Sequence, residues 1–71
     1  MYFQRIKDMR VDADLKQETI AKYLGIRQNV YSRYERGSQT IPLPLLIKLA
    51  EFYDVSLDFL AGRTNIKKVN R

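Results

Sequence analysis

Residues 17 to 37, QETIAKYLGIRQNVYSRYERG from Gln17 to Gly37, hold two short apolar periodicities separated by one glycine. Ile20, Ala21 and Leu24 fall at i, i+1 and i+4, one face of a helix; Ile26, Val30, Tyr31 and Tyr34 repeat that pattern after Gly25. A glycine at the break can take the left-handed conformation that turns the chain sharply, where a side chain would cost about 1 kcal/mol or more. Ala21 is the second steric feature, because a small residue lets two crossed helices bring their backbones close. Gly37 closes the second helix as Gly25 closes the first. The spacing predicts two short helices joined by a tight corner, with the polar side chains of the second turned outward.

Working outward, the run Gln17, Ala21, Gly25, Ile26, Tyr31, Glu35, Arg36, Gly37 continues into LLIKLAEFYDVSLDFL from Leu45 to Leu60. This pattern resembles the helix-turn-helix domain of the Cro and phage-repressor (XRE) family, and the likeness runs from Phe3 to Gly62. It implies an all-α fold: a five-helix, lambda-repressor-like DNA-binding domain over residues 1–62, with the helix-turn-helix at helices two and three and helix three in the major groove. Residues 63–71 are then expected to be a basic, flexible tail.

Composition agrees with that reading. At 71 residues there is room for one domain, and a chain this short buries only about 60% of the surface it exposes when unfolded, so stability is expected to be modest. With neither cysteine nor histidine, disulfides, thiolate sites and imidazole chemistry are excluded and zinc is not expected. No apolar run approaches the roughly 20 residues of a membrane span, and MYFQRIKDMR carries charges where a signal peptide needs an apolar core. A cytoplasmic protein without a cofactor and without membrane contact is the expectation. No second domain to sense a ligand is expected either, which leaves concentration, a partner protein or competition for the site as the means of control.

The net charge of +5 matters through its distribution. Residues 1–15 balance, with Arg5, Lys7 and Arg10 against Asp8, Asp12 and Asp14; residues 16–37 carry five basic groups against Glu18 and Glu35, a surplus of +3. From 38 to 62, Lys48 stands against Glu51, Asp54 and Asp58, giving −2, and Arg63, Lys67, Lys68 and Arg71 add +4 after that. Ordinary surface charges would be scattered. Here one basic region coincides with the helix pair, as counterion release from DNA phosphates requires.

Along the chain, Phe3 to about Asp12 is predicted as the first helix with Ile6 and Met9 inward, and Leu15 is placed to staple against Ile20. Pro42 and Pro44 fit only the first turn of a fourth helix that runs to about Tyr53. Leu45, Leu46, Leu49, Ala50 and Tyr53 form its core stripe, and Leu43, Ile47 and Phe52 make it apolar almost all round, the pattern of a central helix. Ser56 is a good N-cap for a fifth helix, and Gly62 can end it.

Gln28, Asn29, Ser32 and Arg33 share the face of helix three opposite Val30, Tyr31 and Tyr34. A polar helix face is most often simply solvated. Within the motif, the resemblance implies that these four read bases: Asn and Gln can bond adenine bidentately and Arg guanine, each good pair contributing about 1–3 kcal/mol of discrimination. Gln17 opens helix two, where free N–H groups and the helix dipole attract an anion, and the family match implies a phosphate contact. Lys16 and Arg27 depart from the family's usual Ser or Thr at the N-caps; neither can accept from the exposed N–H groups, and a cation there opposes the dipole. They are expected to reach phosphates, at about 1 kcal/mol of stability each. Arg36 and the more exposed Tyr23 are further phosphate candidates. Tyr31 and Tyr34 are read as packing, with hydroxyls reaching the rim.

The resemblance also implies a partly buried ion pair between Arg10 and Glu35, fixing the reading helix to its scaffold. Glu35 has no accompanying nucleophile, second carboxylate or metal ligand in the motif, so catalysis is not expected. Asp12, Asp14 and Glu18 lack a coordination spacing and read as a polar loop and helix start. The resulting expectation is a repressor-type regulator of transcription that binds double-stranded DNA at a two-fold operator as a homodimer, with Phe52, Leu57 and Phe59 as the candidate dimer surface. The rival reading is an antitoxin-like or anti-regulator module that binds a protein partner and for which DNA is secondary.

Overall fold

Gly25 adopts φ 74° and ψ 29°, and the Ile26 amide donates to the Ala21 carbonyl at 3.0 Å, which ends one helix and redirects the chain into the next. A Cβ built on Gly25 meets no atom within 4 Å, so the dihedral angle, and not crowding, demands glycine. The computed structural model describes residues 3–67. Among them are five helices, α1 Gln4–Asp12, α2 Gln17–Leu24, α3 Gln28–Arg36, α4 Leu43–Tyr53 and α5 Leu57–Leu60, and no strand.

Each helix sends one side chain to complete burial: Ile6, Ile20, Tyr31, Leu49 and Leu60. Burying such a residue contributes about 1.5–3 kcal/mol, and a chain this small needs every one of its helices to supply it. Met9 and Leu15 pack on that core from the α1 side, as the periodicity predicts, and Ala21 is buried in α2.

Helix α4 differs from the expectation. Leu46, Leu49 and Ala50 are buried and Leu45 and Tyr53 half-buried, but Leu43, Ile47 and Phe52 remain exposed. Its outer side lies on the molecular surface because five short helices cannot surround one of their number. Pro42 is its N-cap and Pro44 lies in the first turn, while Asp54 at φ 54° performs the left-handed closure for which no glycine is available.

Over residues 63–67, the first part of the segment expected to be a flexible tail, the chain makes hydrogen bonds back to the helices. The Ser56 amide donates to the Lys67 carbonyl at 2.8 Å, the Ser56 hydroxyl donates to the Ile66 carbonyl, and the Arg63 amide donates to the Asp58 carbonyl. Gly62 at φ 81° makes the turn that sends this segment back over α5. Arg5, in the first turn of α1, donates to the Phe59 and Thr64 carbonyls and to Asn65 Oδ1, and its guanidinium lies 4.2 Å from the Phe59 ring centre. A four-residue helix has little stability of its own. Here Ser56 caps it, accepting from the Phe59 amide at 3.0 Å, and the returning strap holds it down. The remainder of the expected tail, residues 68–71, lies outside the described residues.

Candidate nucleic-acid interface

Helix α3 has two sides of opposite character. Tyr31, Tyr34 and Glu35 are buried beneath it, whereas Gln28, Asn29, Arg33 and Arg36 are exposed and Ser32 is half-buried. The four base-reading candidates therefore emerge from one face, one turn apart in two rows. Among the described residues, no ion pair engages Lys16, Arg27, Arg33 or Arg36. Asn29 Oδ1 accepts from the Val30 amide at 3.0 Å, so its amide nitrogen is the end left to donate outward. Arg33 and Arg36 also occupy the last turn of α3, where positive charge suits the helix dipole.

Both departures at the N-caps are visible in the structure. Lys16 and Arg27 are exposed, sit at the N-cap of α2 and α3 with extended backbones, and supply no side-chain cap. Their carbonyls take up part of the load: Lys16 accepts from the Thr19 and Ile20 amides, and Arg27 from the Val30 and Tyr31 amides. The side chains are left unconstrained by the helices they begin.

A buried polar cluster underpins this face. Arg10 Nε donates to Glu35 Oε2 at 2.6 Å and Nη2 to Oε1 at 3.2 Å, while Nη1 donates to the Leu15 carbonyl at 2.7 Å. One guanidinium thus ties the end of α3 and the loop before α2 to α1. Glu35 is 2% exposed. Its burial works to raise its pKa, but the hydrogen bonds from Arg10 and Gln17 and the neighbouring Tyr31 hydroxyl outweigh that, and the net shift is downward. The Arg10 guanidinium is correspondingly stabilised in its charged form by the hydrogen bond to Glu35.

Three of the candidate residues are placed differently from expectation. The Gln17 amide donates to Glu35 Oε1 at 3.1 Å, so this side chain is held by the carboxylate instead of projecting freely from α2. The Tyr23 hydroxyl donates to the Lys48 carbonyl at 3.4 Å and its ring packs 4.7 Å from Phe52, which turns it toward α4. Phe59, expected on a dimer surface, is instead 8% exposed beneath Arg5 and the strap; Leu57 is half-buried, and Phe52 remains exposed. The Tyr31 hydroxyl does not reach the rim. It lies buried beside the Glu35 carboxylate, and the Tyr53 hydroxyl is buried with no hydrogen-bond partner, where burial together with the Glu35 charge pushes it up to about 12.

The helix-turn-helix family matches residues 6–60, from within α1 to the end of α5. The chain belongs to the helix-turn-helix family. Curated members similar to this helix-turn-helix chain include the cryptic phage CTXphi transcriptional repressor RstR of Vibrio cholerae, 41% identical over 93% of the chain and 61% of its own length. The uncharacterized HTH-type transcriptional regulator YobD of Bacillus subtilis is 40% identical over 92% of the chain and 58% of its own length. ImmR, an HTH-type transcriptional regulator of the same organism, is 36% identical over 94% and 53%. The chain therefore spans somewhat over half the length of these relatives. No solved structure matches it significantly. No helix among the described residues is long and apolar enough to cross a membrane, and none of their acidic side chains cluster as a metal site.

Arg5 and the Gln17 link to Glu35 were missed by sequence reasoning. The one available signal for Arg5 is its place in the first turn of α1, where a cation opposes the dipole and needs a tertiary reason to be there.

Proposed function

We propose that this helix-turn-helix chain is a sequence-specific reader of double-stranded DNA that regulates transcription as a repressor, by occupancy and without catalysis. The observation that carries the reading is the single outward face of α3: Gln28, Asn29 and Arg33 exposed, Ser32 beside them, and the opposite side locked into the core through Tyr31, Tyr34 and Glu35. In this reading those four side chains meet base edges in the major groove, and Lys16, Arg27 and Arg36 meet phosphates. Gln17 retains a positioning role, presenting the α2 N-terminus while bound to Glu35. Tyr23 is assigned to packing against α4.

One domain measures 32 × 22 × 20 Å, close to the roughly 34 Å between successive major-groove faces, so two copies side by side fit a two-fold operator. A homodimer in the cytoplasm is the state this reading requires. The relatives named as transcriptional repressor and regulators support the same assignment.

The test is selection from a random duplex pool, followed by titration of the selected duplex at two salt concentrations with Arg33→Ala as control. A steep salt dependence, together with loss of preference at one base pair in the variant, supports the reader. Absence of any selected sequence overturns it. The exposed Leu43, Ile47 and Phe52 on α4 favour a second reading, a module whose main partner is another protein, and that outcome would turn attention to it.

A further inference from the structure

Asn29 is the second residue of α3, and its Oδ1 accepts from the amide of the third, Val30, at 3.0 Å. That amide is one of the groups that an N-cap side chain ordinarily satisfies. The N-cap here is Arg27, whose side chain makes no cap, so the Arg27 carbonyl at 3.1 Å and Asn29 Oδ1 share the Val30 amide between them. Asn29 therefore supplies the acceptor that Ser or Thr at the N-cap would supply, and the Nδ2 hydrogens are the end of its amide that faces outward. Arg33 stands four residues on in the same row, and a guanidinium has donors alone. The outward face of α3 thus has two rows of different chemistry. Gln28 and Ser32 are types that donate and accept; Asn29, held as it is, and Arg33 only donate.

We propose that Asn29 is a donor-only reader that selects guanine over adenine, and that the residue at the N-cap, Arg27, sets this choice. In the major groove guanine shows two acceptors, N7 and O6, whereas adenine shows the N7 acceptor beside an N6 amino group. Bidentate pairing of Asn with adenine needs the carboxamide oxygen to accept from N6 while the nitrogen donates to N7. With Oδ1 engaged by Val30, the adenine amino group would meet another donor and be left unpaired, and guanine offers no such conflict. Docking excludes water from the start of α3, where an amide short of an acceptor costs more, so the bond to Val30 is kept on the DNA. This inference rests on base reading by α3 as proposed above and narrows it: residue type alone at Asn29 points to adenine, and the hydrogen bond to Val30 reverses that preference.

The test uses the full chain and selection from a random duplex pool, with wild-type and variant protein compared and thermal melts confirming that each variant is folded. Asn29→Ala identifies the base pair that Asn29 reads, as the one at which preference disappears. There the wild-type chain is expected to favour G·C over A·T by about tenfold or more. Asn29→Asp keeps an acceptor for Val30 and removes the donor; it is expected to melt no lower than the wild type and to lose the guanine preference. Arg27→Ser offers the Val30 amide a hydroxyl and releases Asn29 Oδ1, so the ratio at that pair is expected to move toward adenine by about threefold or more. Arg27→Ala removes the same cation without supplying an acceptor, and it is expected to keep the guanine preference. If the pool yields no preferred sequence, the reading of α3 as a base reader itself fails. If sequences are selected and the pair identified by Asn29→Ala is A·T, or that variant leaves every preference unchanged, this inference alone is overturned. Equal ratios in Arg27→Ser and Arg27→Ala remove the role given to Arg27.

Discussion

Gln17 and Glu35, 18 residues apart, share a 3.1 Å hydrogen bond that joins the first turn of α2 to the last turn of α3. The carboxylate also receives Arg10 from α1, so three helices meet at one buried negative charge. The outward face of α3 is therefore held for an electrostatic reason as well as an apolar one: moving α3 would strand Glu35 away from water and from its partners.

Removing one partner tests this. Arg10→Met is expected to destabilise the fold by about 3–5 kcal/mol, because it leaves the Glu35 carboxylate buried and without its counter-charge. Arg10→Met combined with Glu35→Leu should cost less than the single change. Urea denaturation of the two variants, compared at a common temperature, measures the difference.

Acid sensitivity follows from the same site. The Glu35 pKa is lower in the folded chain than in the unfolded one, so its stabilising contribution is fully present above the ordinary glutamate range near pH 4.3. That contribution is lost as pH falls through the depressed folded value. Glu35→Gln is expected to be less stable at pH 7 and to show a shallower decline between about pH 5 and pH 2. Melting curves across that range check it.

The N-caps give a prediction with two separable readouts. Lys16→Ser supplies the missing acceptor to α2 and is expected to raise stability by about 1 kcal/mol. If Lys16 meets a phosphate, the same change lowers the salt slope of DNA binding by about 0.9. A gain in stability with an unchanged slope would leave the cation as an incidental surface charge. Arg27→Ser makes the equivalent test on α3.

Base reading by Arg33 is expected to be local. Arg33→Ala should lose about 1–3 kcal/mol of discrimination at one base pair, with preferences elsewhere retained. A uniform loss across all sequences would instead mark Arg33 as a phosphate contact.

Arg5→Ala is expected to open the strap. The Ser56 amide, which donates to Lys67, and the Arg63 amide, which donates to Asp58, should both exchange faster with solvent, while core amides such as that of Ile20 change little. Site-resolved hydrogen exchange distinguishes this from a general loss of stability, which would speed all of them.

The sequence by itself determined whatever depends on local spacing. The corner at Gly25, the inward set of Ile20, Leu24, Tyr31 and Tyr34, and the outward set on α3 all follow from helical period and backbone conformation, which act over three or four residues. The Arg10–Glu35 pair was legible only through family resemblance, since nothing local brings residues 25 apart into contact. Tertiary structure alone decided which exposed apolar residues stay exposed. Phe59 is covered because Arg5, 54 positions earlier, reaches across it, and Phe52 is not, because its helix lies at the surface. It also decided that Gln17 binds Glu35 and that residues 63–67 return over α5. Each of these contacts joins elements distant along the chain, and a one-dimensional pattern carries no information about which distant groups will meet when a core of this size closes.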